Sequence, residues 1–206
     1  MKPYYLISIL IIGAALAPFL VGFERRRPAA RDIVLLAVMV ALAVASRAAF
    51  AAVPHFKPMA AVVMITGMAL GPRQGFLAGA LAALASGFLF GQGPWTPFQM
   101  LAFGSAGLVF GLVGPRLSVP LSGWARLGLA GGGFLFVVLV LGPILDTSSV
   151  FLMLASLTPA SVLAIYGAGL PVNVIHGVAT ALTLLLAANP LLGQLARVRA
   201  KYGLGE

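Results

Sequence analysis

"GFLAGALAALASGFLFGQGPWTPFQMLAFGSAGLVFG", residues 75–111, is apolar at both ends and interrupted at 91–100 by a decapeptide with two Gly, two Pro, a Trp, a Thr and two Gln. At a rise of 1.5 Å per residue, each apolar flank, Gly75 to Phe90 and Phe98 to Val113, covers much of a hydrocarbon layer about 30 Å thick. Between them, Pro94 and Pro97 restrict the backbone around Trp95, and Pro97 suits the first turn of a helix, where its missing N–H would be unpaired anyway. Gly91 and Gly93 permit a close turn. The stretch therefore reads as two membrane helices joined by a stiff, polar-edged loop.

The rest of the chain agrees with this solvent. Of the 206 residues, 61% are apolar and 8% are charged, a balance that a water-soluble domain does not carry. Seven apolar segments are read: Tyr4 to Phe23, Ile33 to Val53, Met59 to Leu70, Gly75 to Phe90, Phe98 to Val113, Trp124 to Leu157 and Leu170 to Leu192. Met59 to Leu70 is short for a span. The segment from Trp124 is expected to break at Gly131, Gly132, Gly133, Pro143 and Asp146. Cysteine is absent, which excludes disulfides and thiol chemistry.

Charge orders these segments. If all seven cross, Arg25, Arg26, Arg27, Arg31, Arg73, Arg116, Arg126, Arg197, Arg199 and Lys201 fall on one side, and Lys2 and Lys57 on the other. The basic side is expected to be the cytoplasm, which puts the N-terminus outside and the C-terminus inside. The net charge of +9 is thus a topology signal, and no nucleic-acid partner is expected. The basic cluster follows the first apolar run, so that run reads as a retained anchor and not as a cleaved signal.

Three connections then share the outer face: "VPHFKP" at 53–58, the decapeptide at 91–100, and "SLTPASVLAIYGAGLP" at 156–171. Irregular backbone near membrane depth needs protein or a cavity around it. The three are expected to lid a pocket, the alternative being ordinary turns with Trp95 as an interfacial anchor. Polar groups inside the apolar runs are few. Arg47, Asp146, Asn173 and His176 all fall in the outer half, and Arg47 is expected to pair with Asp146, either for the ligand or to fix helix register. His176 reads either as a hydrogen-bonded bundle residue or as a ligand contact. With these four, Phe56, Lys57, Gln92, Trp95 and Gln99 from the loops complete the candidate substrate-binding set.

Small residues form ridges at every fourth position: Ala37, Ala41, Ala45 and Ala49; Gly75, Gly79, Ala83 and Gly87; with a similar stripe at Gly104, Gly107, Gly111 and Gly114. Such ridges let helices approach closely, either within the chain or against a second membrane subunit. The chain has no G-x-x-x-x-G-K-[ST] loop, no series of buried carboxylates and no H-E-x-x-H. No catalytic residue, metal or cofactor is expected.

The runs "RDIVLLAVMVALAVASRAAF", "PHFKPMAAVVMITGMALG", "GFLAGALAALASGFLFGQGPWTPFQMLAFGSAGLVFG" and "GLPVNVIH" together resemble the S components of energy-coupling factor (ECF) vitamin transporters, most like the cobalamin-type members. The resemblance covers about residues 31–190, and "FGQGPWTPFQM" is its most specific part. It implies an all-α membrane protein with a six-helix core, here 31–195, preceded by an extra N-terminal helix and basic linker at 1–30 and followed by a basic tail at 196–206. It also implies capture of cobalamin or a related vitamin-like molecule at the outer face, loops that cover the vitamin, and separate partners: a transmembrane T component, docked through Ala37, Ala41 and Ala45, and two ABC-type ATPases. Asn173 stands where many relatives carry an acidic residue. The alternatives are a stand-alone secondary transporter, which would show an inverted repeat, and a membrane scaffold that binds no small molecule.

Overall fold

A computed structural model describes residues 29–153 and 157–203, together with Leu6, Leu10, Gly13, Ala17 and Val21. Apart from those five helical positions, the first apolar run and the arginines at 25–27 lie outside the described residues. The elements are α1 (Ala30–Ala49), α2 (Met59–Leu70), α3 (Pro72–Phe90), α4 (Thr96–Val113), α5 (Gly123–Phe136), a π-helical turn (Val137–Leu141), α6 (Gly142–Met153) and α7 (Pro159–Tyr202). Because α5, the π turn and α6 run on without a gap, the described residues form six rods, as the six-helix expectation requires. Five of them are long and apolar enough to cross a membrane, and no strand occurs among the described residues.

The sixth rod, α2, is the centre. Its 12 residues rise only about 18 Å, and every one except Leu70 is buried, packed among α1, α3, α4 and α7. A helix that is apolar all round belongs inside a bundle, which accounts for its short span. Gly71, at φ 95°, makes the turn from α2 into α3, with Pro72 in the first turn of α3. The Arg199 guanidinium of α7 donates to the Ala69 carbonyl, one of the orphan acceptors at the end of α2.

Glycine contacts bring α2, α3 and α4 together. A Cβ on Gly107 would overlap the Gly75 carbonyl, one on Gly79 the Phe103 carbonyl, and one on Gly67 the Gly107 carbonyl. The ridges of α3 and α4 therefore pack within the chain. The ridge of α1 does not: Ala37, Ala41 and Ala45 are exposed, while Leu36, Met39 and Ala43 on the opposite face are buried.

Two expectations about helix breaks are corrected. Gly131–Gly133 lie inside α5 and interrupt nothing. The irregularity is instead the π turn just before Pro143, whose ring would clash with the Leu139 carbonyl in a regular helix; the wider turn relieves this, and Gly142 N–H donates to Val137 O. Likewise, 156–171 is not an outer loop beyond its first residues. Thr158 Oγ1 accepts from Ser161 N–H (3.2 Å) and Ser161 Oγ from Thr158 N–H (3.0 Å), a reciprocal cap that starts α7 at Pro159. The helix then runs 44 residues through Pro171 and Pro190, since neighbouring helices in a bundle can satisfy the groups that a proline frees.

Seven of the described basic residues gather at one end, Arg47 and Lys57 lying at the other. Arg31 starts α1, Arg73 starts α3, Arg116 follows α4, Arg126 starts α5, and Arg197, Arg199 and Lys201 end α7. The end of α1, the start of α2, the 91–95 turn, the end of α6 and the start of α7 form the other end.

Candidate substrate-binding site

At that other end, residues of α1, the 50–58 loop, α2, α4, α6 and α7 line a partly open cavity of about 130 Å³. Six of the expected residues line it: Arg47, Lys57, Gln99, Asp146, Asn173 and His176. A second cavity, of about 400 Å³, adjoins it across Gln99, Leu145 and Asp146 and is bordered by Trp95. The remaining expected residues do not converge. Phe56 packs on Phe50, ring centroids 5.1 Å apart. Gln92 is engaged in its own turn: Nε2 donates to Leu84 O (2.7 Å) and Oε1 accepts from Thr96 Oγ1 (2.7 Å). Thr96 Oγ1 in turn accepts from Gly93 N–H (3.2 Å), and the Trp95 ring lies over Gly93 so closely that a Cβ there would have to displace it. The decapeptide is thus a self-locked turn that offers Trp95 and Gln99 to the cavities, with Gln92 as its internal brace.

The expected Arg47–Asp146 ion pair is not formed. Asp146 Oδ2 accepts from Asn173 Nδ2 at 2.7 Å. This contact depends on two glycines. A Cβ on Gly142 would strike the Asn173 amide, and one on Gly169 the Asp146 carboxylate, so the two glycines leave the space in which this pair of side chains sits. Arg47, in the last turn of α1, where a cation complements the helix dipole, donates from Nη1 to Ser86 Oγ (2.6 Å) and stacks on Phe90, 4.5 Å from the ring centroid. Its Nε is buried without a hydrogen-bond partner.

His176 is 6% exposed and packs against Phe103, centroids 6.0 Å apart, and its buried Nε2 has no partner. A buried polar atom left unpaired inside a protein costs free energy, so this ring nitrogen leaves an unmet polar group on the cavity wall. Lys57 reaches the cavity from a loop whose backbone turns at His55, φ 59°, a left-handed conformation that histidine tolerates better than most residues. Burial pushes the Lys57 ammonium below the ordinary lysine range, and the nearby Arg47 guanidinium pushes it further.

Sequence reasoning missed His55, Met59, Phe103, Leu145 and Val172, which complete the wall. His55 lies inside the quoted "VPHFKP" and was legible as a polar loop residue; the four apolar ones carry no signal that separates them from other core positions. Among the described residues, no cluster of His, Cys, Asp or Glu is placed to hold a metal.

The pocket is thus a cavity with a few convergent polar groups at one end of an all-helical membrane bundle. The sequence model of the family described as "ECF-type riboflavin transporter, S component" matches residues 28–197. The chain belongs to that family. Comparisons with curated proteins and with solved structures found no match. The S component is therefore the substrate-binding subunit of an ECF vitamin transporter, a multi-pass membrane protein and not an enzyme. The family is of riboflavin type, so the cobalamin-type refinement of the sequence resemblance is not supported.

Proposed function

We propose that this S component captures a vitamin of about flavin size in the paired cavities and passes it inward by docking on an ECF T component served by separate ATPases. The carrying observation is convergence. Arg47, Lys57, Gln99, Asp146, Asn173 and His176, from five places in the chain, meet at one cavity inside an otherwise apolar bundle, and two buried nitrogens there lack partners. Ligand sites have this character: mostly apolar walls and a few convergent polar groups. The volumes bear on size. A cavity of about 130 Å³ beside one of about 400 Å³ falls in the range that holds a drug-sized molecule, roughly 300–1,000 Å³, and this favours a single flat ring system over a corrinoid.

Orientation follows from charge. With the basic end in the cytoplasm, the cavity opens outside, where an importer collects its substrate. The exposed Ala37, Ala41 and Ala45 of α1 offer a shallow face for a helix of the T component, and the absence of a phosphate loop suits a subunit whose energy comes from partners. From sequence we take 1–30 as an added apolar segment and basic linker ahead of the core at 31–195; α7 runs on to Tyr202, so the basic residues at 197–201 belong to that helix and not to a separate tail. Mass spectrometry of small molecules that co-purify with the detergent-solubilised chain tests capture directly: a bound vitamin-sized molecule is expected, and a protein that neither retains nor binds one refutes the reading.

A further inference from the structure

The cavity carries more positive charge than the chain can balance. The whole sequence has four acidic residues: Glu24, Asp32, Asp146 and Glu206. Asp32 lies in the first turn of α1, at the basic end, and Glu24 and Glu206 flank the core in sequence beyond the basic ends of α1 and α7. Asp146 is thus the one carboxylate on the cavity wall, against Arg47 and Lys57, with two histidines besides. No carboxylate among the described residues is within ion-pair distance of either cation: Asp146 is held by Asn173, and the partners of Arg47 are a serine hydroxyl and an aromatic face. Like charges held together in a half-buried site are costly unless something neutralises them.

We infer that the substrate carries one net negative charge, on a carboxylate or phosphate group that seats between Arg47 and Lys57, and a hydrogen-bond donor that faces Asp146 and Asn173. This rests on the capture reading and deepens it: riboflavin, by which the family is described, is uncharged, and the unbalanced cationic wall assigns this chain an anionic ligand of similar size instead. Polarity at the other wall follows from the hydrogen bond already made. With one N–H of the Asn173 amide donated to Asp146 Oδ2, Asp146 Oδ1 and Asn173 Oδ1 remain as free acceptors in a pair that lines the cavity, and acceptors of this kind recognise an N–H or O–H. Arg47 and Lys57 come from α1 and its following loop, Asp146 and Asn173 from α6 and α7, so the ligand is read at two ends by opposite chemistries. His176 Nε2, unpartnered beside them, supplies a further polar contact.

The test uses the full chain in detergent and two small probes, acetate and inorganic phosphate, titrated against chloride at fixed ionic strength, with thermal unfolding as the readout. Saturable stabilisation by one probe is expected, and which probe works distinguishes carboxylate from phosphate. In Lys57→Gln, a loop substitution that leaves the helices intact, the half-saturating concentration should rise about tenfold or more; Arg47→Gln should act alike where it folds. An identical response of wild type and Lys57→Gln, or no response to either anion, overturns the inference. The molecule that co-purifies decides independently: an anion supports the assignment, whereas a neutral molecule overturns it and leaves capture standing. A protein that neither retains nor binds any such molecule removes the capture reading and this inference with it.

Discussion

Removing the Asn173 amide should weaken ligand binding through Asp146. Asn173 is 5% exposed and donates at 2.7 Å to a carboxylate that also faces the cavity. A hydrogen bond to a charged group contributes about 1.5–3 kcal/mol, and at 1.4 kcal/mol per decade its loss corresponds to roughly a 10- to 150-fold drop in affinity if the pair binds the ligand as one unit. Asn173→Ala takes away the donor that orients the carboxylate; Asp146→Ala takes away the carboxylate that the amide orients. Each single change should therefore cost about as much as both together, with a coupling of at least 1 kcal/mol in the double-mutant cycle. Isothermal titration of the co-purified ligand into wild type, both single variants and the double variant measures this. Gly142→Ala adds a steric version of the same test: its Cβ would strike the Asn173 amide, so it should lower affinity without altering any polar group. Single effects that add to within about 0.5 kcal/mol would refute the claim that Asp146 and Asn173 act as a unit.

Other expectations are independent of that pair. Gly107→Ala places a Cβ onto the Gly75 backbone, which no side-chain rotation can relieve, and should destabilise the α3–α4 contact by about 1–3 kcal/mol; a thermal midpoint equal to wild type would contradict the packing described. Ala41→Trp should abolish uptake in cells that contain the T component and ATPases while ligand binding in detergent persists, and loss of both in a folded protein would argue against separate docking and binding faces. Trp95→Ala should reduce affinity by about 1–3 kcal/mol, on the scale of one buried aromatic contact, whereas Gln92→Ala should loosen the 91–96 turn and change affinity less; the reverse order in titration would reassign the lip of the pocket. On the cysteine-free chain, a single Lys57→Cys should react with an impermeant maleimide in intact cells and Arg73→Cys should not, and the opposite pattern would invert the orientation.

How much of this was legible in the sequence depends on which contrast each feature rests on. Apolar against polar was enough for the class, the rods and the gathering of basic residues at one end, because lipid tolerates few charges and each one that remains is informative. The same contrast singled out Arg47, Asp146, Asn173 and His176, and the structure brings all four to one cavity. Inside an apolar bundle the contrast disappears. Residues that face lipid and residues that face a neighbouring helix are equally apolar, so no periodicity marked Met59, Phe103, Leu145 or Val172 as cavity wall, nor separated the exposed ridge of α1 from the buried ridges of α3 and α4.

The partners of the polar groups were decided only by tertiary structure. Opposite charge suggested Arg47 with Asp146, but Asp146 bonds Asn173, 27 positions away, in space that Gly142 and Gly169 leave open and a Cβ on either would occupy. Arg47 faces Ser86 and Phe90 instead. Sequence determined that a few polar groups must be satisfied within an apolar bundle; which group satisfies which depends on helix separations of a few ångströms, and these are set by packing between segments distant in the chain.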